Sequence, residues 1–585
     1  MSKRIFVFFV SVIMTFSIIS TYATGDYEDV LENDDLIWYN DLQFFKPSGA
    51  IVGSRIESFV EQLEIPAEIE GVKVTAIEDR AFRGCEFLQS VKLPSGLVRI
   101  GESAFKDCEF LYEINLPDSL TYIDDWAFSG CVGLAHVEFS HNLIHIGERA
   151  FSGCKRLCEE FVLPDSLQSV GEFAFSGITP IDPIRIPANL TDIGEGAFAC
   201  KRLTGIEVAT GNPAYVAENG ILFNKDKTIL LACAENWKDT YEIPSTVTRI
   251  GSGAFEYRYL TEMTIPNHVT EMGESVFVAC SKLESVILPS ALTEIEGGTF
   301  IRCTSLEQVE FPKNLTRIGS AAFSSCSSLK KITIPETVSI IRENAFRRAG
   351  LREITIPSGV TGIGGGAFSG CDALRKVNFN AENCEFVGIL DEWENVEFPV
   401  FEGCSALTEI IIGENVRSIP EFAFAGLGGY NGDSPLERVV IPESVTAIAD
   451  NAFDEDGNFT IYGSADSYAQ QYAERNSIPF VAVTSDKILP SVYATKGRNY
   501  TVTANIDFMR EVSDKRVFTA LYDEDGGIMA VDCQTITVPQ RKVEVVLNFY
   551  TEFGPSASPD HVGVFIWDGE DKFNPVGYVY STAVY

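Results

Sequence analysis

The chain has 585 residues and carries 83 Asp and Glu against 45 Lys and Arg, a formal net charge of −38. Apolar residues make up 45% and charged residues 22%, so the composition excludes a collagen-like, a disordered and a polytopic membrane protein. The negative field repels phosphate backbones, and we therefore expect no nucleic-acid partner.

The first 25 residues have the organisation of a secretory signal peptide. Lys3 and Arg4 precede an apolar run over residues 5–19, and the small residue Ala23 follows. The run is shorter than the ~20 residues of a spanning helix, which makes an N-terminal anchor the weaker alternative. We expect export with removal of residues 1–25 and no membrane span in the mature chain. The protein would then be secreted, with retention at the cell surface left open.

A phenylalanine, usually preceded by alanine, returns every 22–24 residues along most of the chain. Longer steps follow Phe198, Phe368 and Phe424 only. Self-similarity at a fixed short period is typical of stacked repeats, in which each unit buries its apolar side against its neighbours. The fifteen repeat anchors are Phe82, Phe105, Phe128, Phe151, Phe175, Phe198, Phe255, Phe277, Phe300, Phe323, Phe346, Phe368, Phe401, Phe424 and Phe453.

One full unit occupies residues 111–134. Its Leu-x-x-Ile-x-Leu segment, 111–116, predicts a short strand, and Pro117 ends that strand because proline cannot donate to a ladder. The other inward residues of the unit are expected to be Leu120, Ile123, Phe128 and Cys131. A glycine often follows the isoleucine of the second apolar pair, as at Gly147, and predicts a tight corner there.

Residues 351–371 state the repeat almost in full, as Leu-x-x-Ile-x-Ile-Pro-x-x-Val-Thr-x-Ile-Gly-x-x-Ala-Phe-x-x-Cys. This pattern resembles the BspA-type leucine-rich repeat. The resemblance implies a mainly β fold, a leucine-rich-repeat solenoid of about fifteen ~23-residue coils. It also implies a secreted or surface protein with a binding or adhesive role and no catalytic residues.

Breaks in the period divide the repeat region. We expect an N-terminal cap over 26–80 and a solenoid over 81–482, with insertions near 205–243 and 379–400. In the first insertion, residues 220–223 and 228–231 flank turn residues and predict a hairpin. The second carries acidic residues around Trp393, which indicate either a solvated loop or, as the weaker alternative, a binding loop.

The end of the chain loses the period. Residues 467–474 predict a short helix and 478–481 a last strand that closes the array. Beyond them, residues 486–585 predict a small β-sandwich of the Ig or fibronectin type, and their ending resembles modules at the C-termini of other secreted proteins. The strand-like runs are 501–508, 517–522, 543–549 and 562–567.

Two constellations suggest chemistry only at first sight. Ten cysteines follow an anchor phenylalanine by two or three residues, and we expect buried thiols rather than disulfides because their side chains should point in parallel into the core. These are Cys85, Cys108, Cys131, Cys154, Cys200, Cys280, Cys303, Cys326, Cys371 and Cys404. His136, His141 and His145 fall on variable outward positions, so we expect neither a metal site nor a cofactor.

A solenoid offers a long strand-lined face for recognition. The outward residue of each strand is mostly short or polar, which suits a protein or glycan at a cell or matrix surface. We therefore expect a secreted or cell-surface binding or adhesion protein that is not an enzyme. The alternatives are a non-catalytic targeting or scaffold subunit for an exported enzyme or cell-wall assembly, and a hydrolase. The candidate binding residues are Lys92, Asn115, Glu138, Arg185, Glu207, Thr264, Glu310, Thr333, Thr355 and Asn378.

Overall fold

A computed structural model describes most of the repeat region and part of the C-terminal region. It covers residues 35–482 except for 56–59, 159–160, 235–241, 385, 389–398, 428–435 and 454–458, and beyond them the backbone of seven strands between 491 and 579. The expected signal peptide, residues 1–25, and the acidic stretch around Trp393 lie outside these residues.

Over the residues that the structure describes, the chain is mainly β, a solenoid of about 17 turns with a single short helix. The number exceeds the expected fifteen because some turns contribute a strand without an anchor phenylalanine. In the first insertion, Ile206–Val208 pairs in parallel with Ile184–Ile186 and Ile229–Cys233 pairs in parallel with Arg249–Ile250, but no anchor lies between Phe198 and Phe255. After Phe453, Thr460–Gly463 and Phe480–Ala482 continue the parallel pairing without another anchor. Counting phenylalanines therefore misses the turns in the first insertion and at the C-terminal end of the array.

The chain folds as two compact units. The first comprises Met1–Ile410, Ser418–Pro435 and Ala449–Asp456, and the second comprises Ile411–Arg417, Leu436–Ile448 and Gly457–Tyr585.

Most turns begin with a short strand, here called the first strand, in which successive residues face inward and outward alternately. In the first unit these strands pair in parallel, turn upon turn, as in Glu113–Asn115 between its two neighbours. The first strands are Gln62–Glu64, Ser90–Lys92, Glu113–Asn115, His136–Glu138, Ile184–Ile186, Ile206–Val208, Glu262–Thr264, Ser285–Ile287, Gln308–Glu310, Glu353–Ile356, Lys376–Phe379, Glu409–Ile412, Arg438–Val440, Thr460–Gly463 and Phe480–Ala482.

A second, shorter strand follows the proline corner and also pairs in parallel with its neighbours in the first unit, as Tyr122–Ile123 does with His145–Ile146. Its final apolar residue is buried and its preceding residue faces outward. The second strands are Ala76–Ile77, Arg99–Ile100, Tyr122–Ile123, His145–Ile146, Ser169–Val170, Asp192–Ile193, Arg249–Ile250, Glu271–Met272, Glu294–Ile295, Arg317–Ile318, Ile340–Ile341, Gly362–Gly364, Phe386–Gly388, Ser418–Ile419 and Ala447–Ile448.

The anchor phenylalanines form the third side of each turn. Most anchor N–H groups donate to the carbonyl of the residue before the next anchor, as from Phe105 to Ala127 at 2.7 Å. A buried alanine, valine or threonine precedes each anchor. The rings stack face to face, with centroids 5.1–5.9 Å apart and planes within 22° of parallel, from Phe82 to Phe198 and again from Phe255 to Phe453. Such stacking adds to the free energy gained from burial.

The corner glycines are required for a reason that differs from the expected one. Gly147 has an ordinary negative φ, so the turn does not depend on glycine's backbone freedom. A Cβ added at Gly147 would lie 2.4 Å from the backbone nitrogen of Asp125 in the preceding turn. Gly171 and Gly194 meet the turn before them in the same way. Glycine is needed because consecutive turns approach too closely for any side chain.

Antiparallel strands flank and interrupt the parallel array. At the start, Leu36–Tyr39, Leu42–Phe45 and Ala50–Ser54 form a meander whose last strand pairs in parallel with Ala76–Ile77, and Glu68–Ile69 pairs with Val72–Lys73. In the first insertion, Tyr215–Glu218, Ile221–Asn224 and Ile229–Cys233 form the expected hairpin plus one strand.

The insertion joins the array through Asn212, which is buried. Its amide nitrogen donates to the carbonyls of Pro187 and Leu190, and its amide oxygen accepts from the N–H groups of Ala214 and Tyr215 at 2.9 Å. All the hydrogen-bonding capacity of this side chain is therefore used to fix the entry of the hairpin.

In the second unit, Arg438–Val440, Thr460–Gly463 and Phe480–Ala482 pair in parallel. The predicted helix occupies Tyr468–Arg475, where the Ser467 side chain accepts from the N–H of Gln470 and caps the helix. Ala469, Tyr472 and Ala473 are its buried residues.

The last seven strands of this unit form two antiparallel sheets. One sheet holds Ser491–Thr495, Tyr500–Val512 and Gln540–Phe549, and the other holds Lys515–Tyr522, Ile528–Ile536, His561–Trp567 and Pro575–Val579. The four runs predicted as strands from the sequence all coincide with observed strands. Within the described residues, no helix has the length and apolar character needed to cross a bilayer.

Candidate binding site

On each parallel sheet of first strands in the first unit, the outward residues form an exposed face, and these faces are together called the front face here. Nine of the ten candidate binding residues are exposed on it, and Asn378 is half-buried. The inward neighbours of these residues, such as Ile114 and Val286, are buried. Because successive residues of a strand face opposite sides of the sheet, the polar side chains lie on the surface. Those on paired strands are about 4.8 Å apart.

Strand register brings most of these residues together in groups. Lys92, Asn115 and Glu138 are direct neighbours on three adjacent strands, and Lys92 also bonds Glu64 on the preceding strand at 2.6 Å. Glu64, Lys92, Asn115 and Glu138 thus form a row of three charged side chains and one amide across four adjacent strands.

The remaining candidate residues fall into smaller groups. Arg185 is opposite Glu207. Thr264 and Glu310 are separated by Ile287, whose side chain is 53% exposed. Thr333 is exposed in a turn whose first segment forms no regular strand.

Asn378 is the best-connected of the candidates. It is opposite Thr355, and its amide nitrogen donates to the Thr355 hydroxyl at 3.2 Å and to the Glu353 carboxylate at 2.8 Å. The ammonium group of Lys376, two residues earlier on this strand, lies 3.6 Å from the carboxylate of Glu409. This part of the face is therefore pre-ordered by its own side chains.

None of the ten column cysteines is in a disulfide, and all but the half-buried Cys85 are buried. The thiols of nine of them, from Cys108 onward, donate to the carbonyl of the anchor phenylalanine one turn earlier, at 3.0–3.7 Å. Burial raises their pKa values, for example that of Cys326 to about 12. The cysteine column thus serves packing and satisfies buried carbonyls.

The three clustered histidines do not converge. His136 and His141 are exposed, and His141 lies 3.5 Å from Asp118, while the Nδ1 atom of His145 is 2.7 Å from the Ser169 hydroxyl. No group of three potential metal ligands occurs among the residues that the structure describes.

A buried arginine and a buried glutamate lie beside the first insertion, at positions that the repeat pattern does not reveal. Arg258 is three residues after Phe255, where most turns have cysteine, and is only 2% exposed. Its guanidinium donates to the carbonyls of Glu256, at 2.8 Å, Leu203, at 3.5 Å, and Cys200. Burial raises the pKa of Glu256 to about 8, and the attraction of Arg258 opposes that rise.

A second feature missed from the sequence is an exposed aromatic corner in the first two anchored turns. Phe87 is 47% exposed and Phe110 is 60% exposed, and Glu86 and Glu109 precede them. A cleft of about 500 Å³ opens beside the first of these turns, and its wall includes Ser54, Arg80, Arg83, Cys85, Glu86 and Phe87.

The comparisons with known proteins agree with this architecture. A model of the BspA type leucine rich repeat region matches residues 58–159, 127–219, 237–351 and 322–460, which together exceed half of the chain. No match to this chain was found among the curated proteins.

Several solved structures of bacterial leucine-rich repeat proteins are similar to the chain. A leucine rich cell surface protein of Faecalibacterium prausnitzii is 26% identical, covers 60% of this chain and 96% of its own, and has a TM-score of 0.43. The pneumococcal vaccine antigen PcpA is 17% identical, with coverages of 79% and 100% and a TM-score of 0.37. A leucine-rich repeat protein of Eubacterium ventriosum is 21% identical, with coverages of 59% and 91% and a TM-score of 0.37.

The extent of the family match, together with the stacked turns and their phenylalanine and cysteine columns, decides the classification. Proteins of this kind are typically surface or secreted proteins, and leucine-rich repeat proteins generally bind other proteins without catalysis. The chain belongs to the BspA-type leucine-rich repeat family.

Proposed function

We propose that the chain is a secreted or cell-surface binding protein that uses the front face to recognise a protein or glycan on a cell or matrix surface. The observation that carries the proposal is the register of the exposed face. Lys92, Asn115 and Glu138 stand on successive parallel strands, above a core that holds those strands rigid. Binding to a preformed array avoids most of the cost of ordering side chains and loops.

The rest of the chain fits this role as accessory parts. Residues 1–25 would direct export, the segment 26–80 would cap the solenoid of residues 81–482, and residues 486–585 would form a β-sandwich spacer. The two antiparallel sheets of that last region support the sandwich proposal.

The test uses the mature chain on an array of immobilised matrix proteins and glycans. The front-face variant replaces Thr264 and Thr355 with arginine. The matched control makes the same replacements at Thr270 and Thr316, which are also exposed but precede second strands. Both variants change the net charge equally.

We expect the front-face variant to lose bound ligands by about tenfold or more, because an unmatched buried charge at an interface costs several kcal/mol. The control should keep the pattern of the unmodified chain. Equal retention by both variants, or equal loss, would remove the front face from the proposal. Export is tested separately, by comparing where the full chain and a chain lacking residues 1–25 accumulate.

A further inference from the structure

The first two anchored turns repeat a short motif that the others lack. Cys-Glu-Phe-Leu occupies residues 85–88 and again residues 108–111. In both copies the leucine is buried, whereas the glutamate and the phenylalanine are exposed. At the position of this phenylalanine the next two turns have Gly133 and Arg156. A large exposed aromatic side chain at the same point of two successive turns is therefore a local feature and not a requirement of the repeat.

Backbone hydrogen bonds hold the two copies side by side. The N–H of Gly84 donates to Lys106 on one side of the corner, at 2.8 Å, and the N–H of Tyr112 donates to Gln89 on the other, at 3.0 Å. The two Glu-Phe pairs are thus one turn apart, about 4.8 Å. Tyr112, 43% exposed, adds a third aromatic side chain beside them. We call Glu86, Phe87, Glu109, Phe110 and Tyr112 the Glu-Phe corner.

Small residues leave one side of this corner open. In the turn that follows, the residues at the positions of Phe110 and Tyr112 are Gly133 and Ala135. The Gly133 N–H donates to the carbonyl of Glu109 at 2.9 Å, so that turn is seated directly against the corner backbone. Because Gly133 has no side chain and Ala135 only a methyl group, these two positions leave room beside the aromatic residues.

The charge of the corner selects the chemistry of a partner. Glu86 and Glu109 belong to the corner, and Asp107 and Glu113 are exposed close to them in the chain. Among the nearby cations, Lys92 is paired with Glu64 at 2.6 Å, and Lys106 lies 4.2 Å from the ring centre of Trp126. Arg80 and Arg83 line the adjoining cleft, and Arg80 lies 3.9 Å from Glu102. With Glu64 and Glu102 included, six carboxylates face four cations, and the aromatic side chains beside them attract cations.

We propose that the Glu-Phe corner is a docking site for a basic segment of a partner protein, with arginine or lysine side chains against Phe110 and Tyr112 and their charges near Glu86 and Glu109. This inference rests on the proposed binding function but uses a surface separate from the front-face residues tested above. The net charge of −38 would speed the approach of such a partner. An acidic polymer is repelled by the same charges.

The test measures binding of the full mature chain to a labelled peptide of alternating Arg and Ser, at low and at high salt. A peptide of alternating Glu and Ser and a neutral hexose oligomer are the comparison probes. The corner variants are Phe110→Ser and the double variant Glu86→Gln, Glu109→Gln. The matched controls are Tyr259→Ser, at a side chain 70% exposed in a later turn, and the double variant Glu284→Gln, Glu307→Gln, which changes the net charge equally.

We expect the Arg-Ser peptide to bind and Phe110→Ser to weaken it by about tenfold, the size of a partly desolvated cation–π contact. The corner Glu→Gln pair should weaken binding at low salt and reduce its dependence on salt. The controls should bind as the unmodified chain does, with the same melting temperature.

Three results would overturn the inference. The peptide could fail to bind, or the Glu284 and Glu307 control could weaken binding as much as the corner pair, which would indicate diffuse attraction by the net charge. The hexose oligomer could instead bind in a way that depends on Phe110, which would assign the corner to glycans. The two proposals can fail separately. If both hold, the front-face variant loses the ligands found on the array of matrix proteins and glycans but still binds the Arg-Ser peptide.

Discussion

Replacing Arg258 with methionine should destabilise the solenoid at the first insertion. Methionine keeps much of the apolar volume but removes the guanidinium that donates to the carbonyls of Glu256, Leu203 and Cys200. It also leaves Glu256, 7% exposed, without its cationic neighbour. Leaving a buried carbonyl without its donor typically costs about 1–3 kcal/mol, and three carbonyls lose their donor here.

The assay is equilibrium urea unfolding of the full chain, followed by far-ultraviolet circular dichroism. In a repeat array stability is a sum of turns and interfaces, so the loss should separate the turns before the insertion from those after it and broaden or split the transition. The control is Arg302→Met, at an exposed arginine, expected to stay within about 0.5 kcal/mol. A change below about 1 kcal/mol in Arg258→Met would refute the reasoning.

Three further predictions concern the protonation of Glu256, the glycine at position 147 and the exposure of the cysteines. The folded-state pKa of Glu256, about 8, lies above its ordinary value of 4.5. The free energy of unfolding should therefore fall as the pH rises from about 4.5 to about 8 and stay level above that. In thermal melting at a series of pH values, Glu256→Gln should flatten this part of the profile. Gly147→Ala should cost about 1–3 kcal/mol in urea unfolding because its Cβ would lie 2.4 Å from the backbone of Asp125, whereas Gly96→Ala, with 3.8 Å to its nearest neighbour, should be nearly neutral. A thiol reagent at neutral pH, with sites mapped by mass spectrometry, should label half-buried Cys85 well before the buried column cysteines such as Cys154, and equal labelling rates in the native chain would contradict their assigned burial.

The periodic features of the fold were readable from the sequence because they depend on residues that every turn must supply. The spacing of anchors such as Phe128 predicted the stacked column, and the Leu-x-x-Ile-x-Leu pattern predicted which strand residues are buried and which lie on the front face. The thiol column followed from the same alignment. The reason for the corner glycines did not, since it depends on the distance between two turns rather than on the conformation of one.

Features that depart from the repeat were the ones missed. Arg258 replaces a cysteine just after the insertion, and the sequence does not reveal that three carbonyls of two turns converge there. Phe110 reads as one more core residue in a chain rich in apolar residues, yet its position on the corner turns it outward. Departures of this kind need the three-dimensional register of neighbouring turns.

Residue-resolved hydrogen exchange on the full chain tests the stacked-turn architecture most directly. Because most anchor N–H groups donate to the following turn, the amides of Phe105, Phe128 and their equivalents should exchange slowly, in narrow bands that recur with the repeat. Exposed corner positions such as Phe110 should exchange quickly between these bands. Protection without that recurrence, or anchor amides that exchange as fast as the corners, would contradict the hydrogen bonding between turns on which both proposed binding surfaces depend.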